Sequence, residues 1–354
     1  MAVYTDVVCA WSTGPVTALP ADEAVHAAEE QSPAAAEQPV MAHGGLPCPP
    51  RRGVTRVAGG YPDGPDTSRG GPVRDHRIGM IVPSSNLTME TELPRMLLAR
   101  ERVVPGERFT FHSSRMRMKH VTPEELVRMN AQTERASLEL ADARPDVVAS
   151  ACLVAIMAQG PGYHSSAEGQ ITGVLQGEGL DVPVVSSAGA LLRALDAMGA
   201  RRVAMITPYM KPLTRLVADY VEDAGVEVCD ALSLEVSDNL AVAALDPGAL
   251  REHWRRVDVR DADALVLSAC VQMPSLAAIQ PVEDAAGVPV LSAATATVFT
   301  ILSELGLEPV VPDAGRLLGG EVRMAPGPRP TPEPVDAGTA PAPPLPEPYP
   351  AAAQ

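Results

Sequence analysis

Short runs of β-branched and other apolar residues alternate, along the middle of the chain, with segments whose apolar positions recur at helical spacing. The first run, RIGMIVP at 77–83, predicts a buried strand, and a helix near 89–101 and a strand near 108–112 follow it. Runs that end in Pro, Ser or Cys before a helical pattern are typical of parallel strands joined by crossover helices. The pattern therefore predicts an α/β fold with parallel sheets.

The segment TPEELVRMNAQTERASLELADARP predicts one long helix with defined ends. Thr122 and Glu125 have the spacing of a capping box, and Pro123 occupies the first helical position. Pro145 lacks the N–H group that a continuing helix needs, so we expect the helix to stop before it.

The sequence contains an internal duplication, in which three segments recur in the same order later in the chain. The matching pairs are RIGMIVP at 77–83 with RVAMITP at 202–208, SAC at 150–152 with SAC at 268–270, and VPVVSSAGALLRALDAMGA at 182–200 with VPVLSAATATVFTILSELGL at 288–307. The copies keep their order and differ in loop length. We therefore expect two pseudo-symmetric α/β lobes with an active site in the cleft between them, at the carboxyl ends of the strands.

Low-complexity segments flank the two predicted lobes. The expected divisions are a disordered extension over 1–76, a first lobe over 77–194 completed by about 305–320, a second lobe over 195–304, and a Pro-rich disordered tail over 321–354. The tail favours polyproline II and has few apolar residues to pack. Its PxxP spacings could fit an aromatic groove, although so many prolines also produce such spacings by chance.

Composition narrows the classes of partner and cofactor. The formal net charge of −16 and the lack of a basic stripe argue against a nucleic-acid partner. No signal-like segment opens the chain and no long apolar run occurs, which predicts a cytoplasmic protein without membrane contact. The five scattered cysteines predict reduced thiols. Because motifs for metals and nucleotides are missing, we expect no cofactor and no metal.

Each duplicated strand ends near a residue that can do chemistry. These residues are Asn86, Cys152, Tyr209 and Cys270. Cys152 and Cys270 occupy the same place in the two copies, so pseudo-symmetry would bring them face to face, and the start of the following helix could stabilise a thiolate there. The alternative is an inert core cysteine, which is our interpretation of Cys229.

Four polar side chains have both a structural and a functional interpretation. Asn86 either caps a helix or binds an anion, and the two roles are compatible. Tyr209 is either a surface tyrosine or a phenol that donates to a carboxylate, and Asn239 is either a helix cap or a donor. His164 follows Cys152 and could act as its base, but the second copy has no counterpart.

Seven sequence blocks resemble those of one enzyme family. They are VPSSNLTMETELP, ACLVAIMAQGPGYH, SSAGALLRALDAMGA, ITPYMKPLT, VSDNLAVA, LSACVQMPSL and VPVLSAATAT, and together they resemble maleate cis-trans isomerases of the aspartate/glutamate racemase superfamily over about 77–320. The resemblance implies two flavodoxin-like lobes and a homodimer. It also implies that Cys152 is the nucleophile, that Cys270 is its acid/base partner, and that carboxylates bind at Asn86, Tyr209 and Asn239.

The implied activity is cofactor-independent isomerisation of maleate to fumarate through a succinyl-cysteine-type intermediate, in nicotinate-type degradation. One alternative is an arylmalonate decarboxylase, a family that keeps only the second-lobe cysteine. Another is an amino-acid racemase, whose first lobe reads CNT-x-H where this chain reads CLVAI. A catalytically idle binding protein is the third, and the two intact cysteines argue against it. The physiological substrate, maleate or a substituted analogue, stays open.

Overall fold

Two parallel sheets organise the chain in the structure, a computed structural model that describes residues 73–325. The first sheet contains β1 (Arg74–Pro83), β2 (Glu107–Met116), β3 (Val147–Ser150) and β4 (Val184–Ser186), in the order β2-β1-β3-β4. The second contains β5 (Arg202–Thr207), β6 (Glu227–Ser233), β7 (Ala264–Ser268) and β8 (Val290–Ser292), in the order β6-β5-β7-β8. This repeated order confirms the predicted α/β fold with two pseudo-symmetric lobes. The predicted extension, up to residue 72, and the tail beyond residue 325 lie outside the described residues.

Helices cover both sheets. Those of the first lobe are α1 (Met89–Glu101), α2 (Pro123–Asn130), α3 (Thr133–Ala141), α4 (Leu153–Met157), α5 (Tyr163–Gly177) and α6 (Ser187–Ala197). Those of the second lobe are α7 (Lys211–Asp223), α8 (Asn239–Ala243), α9 (Pro247–His253), α10 (Leu276–Ala286) and α11 (Ala293–Glu304), and Trp254–Arg256 and Arg316–Leu318 form short 3-10 turns. Every residue of β3 and β7 is buried, as expected for central parallel strands covered on both faces. Over residues 73–325, no helix is both long and apolar enough to cross a bilayer.

Some predicted boundaries differ from the structure. β1 begins at Arg74 rather than at 77, and β2 continues to Met116 rather than ending at 112.

The single helix predicted after residue 122 is in fact two helices, α2 and α3. Between them, the Gln132 side chain hydrogen-bonds the backbone of Arg117 and Arg128, which competes with a continuous helix. The predicted capping box is half formed. Thr122 accepts from the Glu125 N–H, but the Glu125 carboxylate accepts from backbone N–H groups earlier in the loop.

The copies α6 and α11 begin in the same way. Ser186 caps α6 by accepting from the Gly189 N–H at 3.0 Å, and Ser292 caps α11 by accepting from the Thr295 N–H at 3.2 Å. Every α11 residue from 293 to 302 is buried, because this apolar helix packs against α6, α1 and the strands β3 and β4 of the first lobe. The second lobe thus contributes a helix to the core of the first.

Candidate active site

Cys152 follows β3 directly and has an unusual backbone conformation. Its φ of 81° and ψ of 65° lie in the left-handed region, and α4 starts at the next residue. A residue with a Cβ costs about 1 to 2 kcal/mol in this conformation, so such residues cluster at functional sites. The Ala155 N–H, in the first turn of α4, donates to the Cys152 carbonyl at 3.1 Å and lies near enough to the sulfur to favour its charged form.

Cys270 follows β7 at the corresponding place, but its surroundings differ. The Met273 N–H donates to the Cys270 carbonyl at 3.3 Å, and the nearby N–H groups of Gln272 and Met273 together with the Tyr209 hydroxyl favour the charged form of the sulfur. The Ser268 hydroxyl holds the Cys270 carbonyl at 2.9 Å. Three neutral donors therefore favour a thiolate at Cys270, whereas one does so at Cys152.

Both cysteines line one cavity of about 30 Å³ between the lobes. Its walls are Pro83, Asn86, Met118, Val121, Cys152, Leu153, Val154, Tyr209, Asn239, Cys270, Val271 and Gln272. The structure therefore brings all five predicted site residues together. None of these side chains has a permanent charge, so the polar groups available to a ligand are neutral donors.

Asn86 occupies the loop before α1 and uses its two side-chain polar atoms differently. Its Oδ1 accepts from the N–H groups of Thr88 and Met89 at 3.0 and 2.9 Å, which satisfies the start of the helix. Its Nδ2 has no hydrogen-bond partner among residues 73–325 and is free to donate to a ligand. The capping and binding roles are thus compatible in one side chain.

Asn239 and Tyr209 reach the cavity from the second lobe. Asn239 donates from Nδ2 to the Ser85 Oγ across the lobe boundary at 2.7 Å, and the cap of α8 is supplied by Asp238 instead. The interpretation of Asn239 as a helix cap was therefore wrong. Tyr209 is buried, with 8% exposure, so it is not a surface tyrosine, and burial next to Cys270 raises the pKa of its hydroxyl.

Burial controls the ionisation of both thiols. It raises the pKa of Cys152 to about 12, with the Ala155 N–H opposing the shift and the charge of Cys270 adding to it. Burial also raises the pKa of Cys270, against the three donors. Desolvation therefore outweighs the stabilisation of a thiolate that the start of the following helix could provide.

His164 lies away from this cavity. Its Nδ1 is 2.7 Å from the Tyr220 hydroxyl, and that hydroxyl also accepts from the His164 N–H at 3.1 Å. His164 therefore belongs to a contact between the lobes and does not pair with Cys152. Within residues 73–325, His, Cys, Asp and Glu side chains form no group of three or more that could hold a metal ion.

Gln272 is the site residue that sequence reasoning missed. It is buried, lines the cavity and hydrogen-bonds residues of both lobes. The available signal was the second copy itself, where Cys270 is followed by Val-Gln and its counterpart by Leu-Val. A polar residue that replaces an apolar one in a buried copy indicates a specific partner.

Comparison with known proteins agrees with this geometry. A family model described as arylmalonate decarboxylase matches residues 78–318. The chain belongs to that family and, within it, to the maleate isomerases, which confirms the resemblance noted from the sequence blocks.

Three relatives illustrate the similarity. Maleate isomerase of Geobacillus stearothermophilus is 57% identical over 245 residues, which are 69% of this chain and 98% of the relative. The crystal structure of a Cys→Ala variant of maleate isomerase Iso from Pseudomonas putida S16, with maleate, matches with a TM-score of 0.69 at 54% identity, covering 70% of this chain and 99% of that one. A Cys→Ser mutant of the Nocardia farcinica maleate cis-trans isomerase, with a covalently bound succinylcysteine intermediate, matches with a TM-score of 0.67 at 48% identity, covering 69% and 98%.

Proposed function

We propose that this chain isomerises maleate to fumarate without a cofactor, through a covalent adduct on cysteine. The observation that carries the proposal is the meeting of two thiols, one from each lobe, on one cavity lined by neutral donors. The maleate isomerases to which the chain is similar, including one with a succinylcysteine intermediate, support the same chemistry.

The reaction needs a temporary single bond between the two alkene carbons. A thiolate adds to one carbon, the C–S bond forms, and the π electrons move to the neighbouring carbon and its carboxylate. A proton on that carbon completes a succinyl adduct, the central bond rotates, and removal of the proton expels the sulfur to give the trans product. Electrons and protons balance over the cycle, so no net oxidation or reduction occurs.

The two thiols divide this work in our proposal. Cys270 ionises first because of its three donors, and its thiolate takes the proton of Cys152 when substrate binds. Cys152 then adds to the alkene, and Cys270 returns the proton to the carbanion and later removes it.

Neutral donors stabilise the negative charge that moves onto the far carboxylate. We assign this role to the free Nδ2 of Asn86, to the Asn239 amide and to the Tyr209 hydroxyl, all on the cavity wall. One oriented donor of this kind contributes about 3 to 4 kcal/mol to a transition state.

The direct test is proton NMR of maleate incubated with the purified chain in the presence of a chelator and without added cofactor. We expect the vinyl signal of maleate to be replaced by that of fumarate. An aryl malonate tested in parallel addresses the decarboxylase alternative, which the family model brings forward. Release of carbon dioxide from that compound, with maleate left unchanged, would contradict the proposal.

Several finer properties rest on the family resemblance and are part of the proposal. We infer a cytoplasmic homodimer that acts in nicotinate-type degradation, and lobes divided as the sequence predicts, with the first lobe beginning at β1 rather than at residue 77. Sedimentation equilibrium tests the dimer. A chain shortened to residues 73–325 tests whether the flanking segments are dispensable, since it should fold cooperatively and keep its activity.

A further inference from the structure

The loop before α1 and the loop after Cys270 meet at the edge of the cavity, and Gln272 joins them. Its Oε1 accepts from the Leu87 N–H at 2.9 Å, and its Nε2 donates to the Ser85 carbonyl at 2.9 Å. The same Nε2 donates to the Asn239 carbonyl at 2.8 Å. Gln272 is only 4% exposed, and both hydrogens of its amide are used.

These three contacts fall beside the residues that we assign to carboxylate binding. Ser85 and Leu87 flank Asn86, so the Gln272 amide holds the backbone on both sides of it. The third contact is to the backbone of Asn239 itself. One side chain therefore sets the position of two donors that come from different lobes.

Gln272 is also tied to the reacting sulfur. It lies two residues after Cys270, and its backbone N–H is close enough to the Cys270 sulfur to favour the charged form. The Thr88 hydroxyl donates to the Gln272 carbonyl at 2.6 Å, which fixes the backbone of Gln272 as well. The counterpart of Gln272 in the first lobe is Val154, whose apolar side chain provides no such link.

We propose that Gln272 is a positioning residue, which holds Asn86 and Asn239 at the spacing of the two carboxylates and relates both to Cys270. The proposal rests on the function proposed above for this site. Gln272 needs no contact with substrate in this role. It acts through the two asparagines, and its loss also leaves buried backbone groups without their partners.

The first test is Gln272→Met, which keeps the length of the side chain and removes its polar atoms. We expect KM for maleate to rise about tenfold or more and kcat/KM to fall about 10²-fold, as for an ångström-scale misplacement of binding groups. At saturating maleate the adduct on Cys152 should still form. The matched control is Gln280→Met, a half-buried glutamine on α10 that does not line the cavity and should leave both constants unchanged.

The second test is Gln272→Glu, which keeps the acceptor for Leu87 and replaces the donors to Ser85 and Asn239 with a carboxylate. Protonation of that carboxylate restores one donor, so kcat/KM relative to wild type should rise as the pH falls from 8 to 6. A role for Gln272 that does not depend on its two amide donors predicts a ratio that is independent of pH. Wild-type kinetic constants in the Met variant, or a constant ratio in the Glu variant, would overturn the proposal.

A substrate-free measurement separates this proposal from the proposed function. Hydrogen exchange at the Leu87 amide should accelerate in Gln272→Met and stay slow in Gln272→Glu and in the Gln280→Met control. If the wild type fails to convert maleate, the proposed function is wrong, and the exchange data still decide whether Gln272 holds the Asn86 loop. Unchanged exchange in Gln272→Met would contradict the holding role directly.

Discussion

The loops after Cys152 and Cys270 are copies of one another, yet they hold their thiols differently. Cys152 sits in the left-handed region, runs straight into α4 and receives one N–H donor. Cys270 lies outside that region and receives two backbone donors and the Tyr209 hydroxyl. The duplication therefore explains why two sulfurs face one cavity, and the later local differences explain how they can have unequal roles.

The helices at the contact between the two lobes are also copies of one another that differ in the side chain they contribute. In the first lobe, the buried Glu92 carboxylate on α1 accepts hydrogen bonds from the N–H groups of Ser275 and Leu276 at the start of α10. In the second lobe, the Tyr220 hydroxyl on the equivalent helix α7 accepts a hydrogen bond from the His164 N–H at the start of α5. Each lobe caps a helix of the other, one with an ionisable acid and one with a phenol. The two contacts therefore occupy equivalent positions in the two lobes, but the Glu92 contact and the Tyr220 contact depend differently on pH.

Removing each thiol tests the unequal roles most strongly. We expect Cys152→Ala and Cys270→Ala each to lose at least about 10⁴-fold in kcat, and the double mutant to be little worse, because the thiols act as one unit. Trapping with maleate at high pH, which ionises Cys152 in the absence of Cys270, followed by peptide mapping should find an adduct on Cys152 in Cys270→Ala and none in Cys152→Ala. Turnover by Cys152→Ala with an adduct on Cys270 would reverse the assignment.

Removing the Tyr209 hydroxyl, a donor that Cys270 has and Cys152 lacks, should have the next largest effect on activity. Tyr209→Phe deletes the hydroxyl that donates to the Cys270 sulfur, and we expect kcat to fall by about 10²-fold. The pH profile of kcat/KM should move to higher pH, because loss of a donor to the thiolate raises the pKa of Cys270 further. Tyr220→Phe removes a buried hydroxyl from the same lobe and serves as the control, with a much smaller effect expected and no shift of the profile.

The pH dependence of the wild type tests whether burial outweighs the donors at both thiols. Because burial raises both pKa values, the reactive thiolate is the minor form at neutral pH, and raising the pH increases its fraction. We expect kcat/KM to rise by up to about tenfold per pH unit above pH 7, measured in buffers of constant ionic strength. A rate that is already independent of pH near 7 would show a thiolate stabilised more strongly than this environment allows.

The backbone difference between the loops can be tested without any assay of activity. Glycine adopts the left-handed conformation freely, so Cys152→Gly should be more stable than Cys152→Ala by about 1 kcal/mol. At Cys270 the order should be reversed by roughly 0.5 kcal/mol, because glycine there only adds freedom to the unfolded chain. Urea denaturation of the four variants measures both differences, and the same order at the two positions would remove the distinction.

The smallest expected effect concerns Glu92, the ionisable side chain that caps α10. Burial raises the pKa of Glu92, so the folded chain binds its proton more tightly than the unfolded chain does. The stability contributed by this proton is fully present below about pH 4.5, the ordinary value, and is lost as the pH rises through the raised pKa. Glu92→Gln should thus gain stability relative to wild type with increasing pH.

Thermal denaturation between pH 4.5 and 8 measures this gain. Glu124→Gln, an exposed carboxyl on α2, controls for the loss of one negative charge. A difference between Glu92→Gln and wild type that shrinks with rising pH would mean that the Glu92 carboxylate is stabilised, rather than penalised, by its site.

Sequence reasoning reached the parts of the molecule that depend on local pattern and on duplication. The matched segments predicted two sheets of one strand order, and the strand ends predicted the residues that line the cavity. The break between α2 and α3 was missed because it depends on the Gln132 side chain, which hydrogen-bonds residues on either side of the break.

Gln272 was missed for a related reason. Its partners belong to loops that come together only when the lobes dock, and no periodicity in the chain reports that contact. The weak thiol acidity was also missed, because it depends on how completely the cavity closes around the sulfurs.

The helix α11 makes the two halves inseparable as folding units. It belongs to the second copy by sequence, yet its buried residues complete the core under β3 and β4 of the first. A fragment that ends between the lobes would expose that face to water, so we expect neither half to refold alone. The two fragments mixed together should recover structure by complementation.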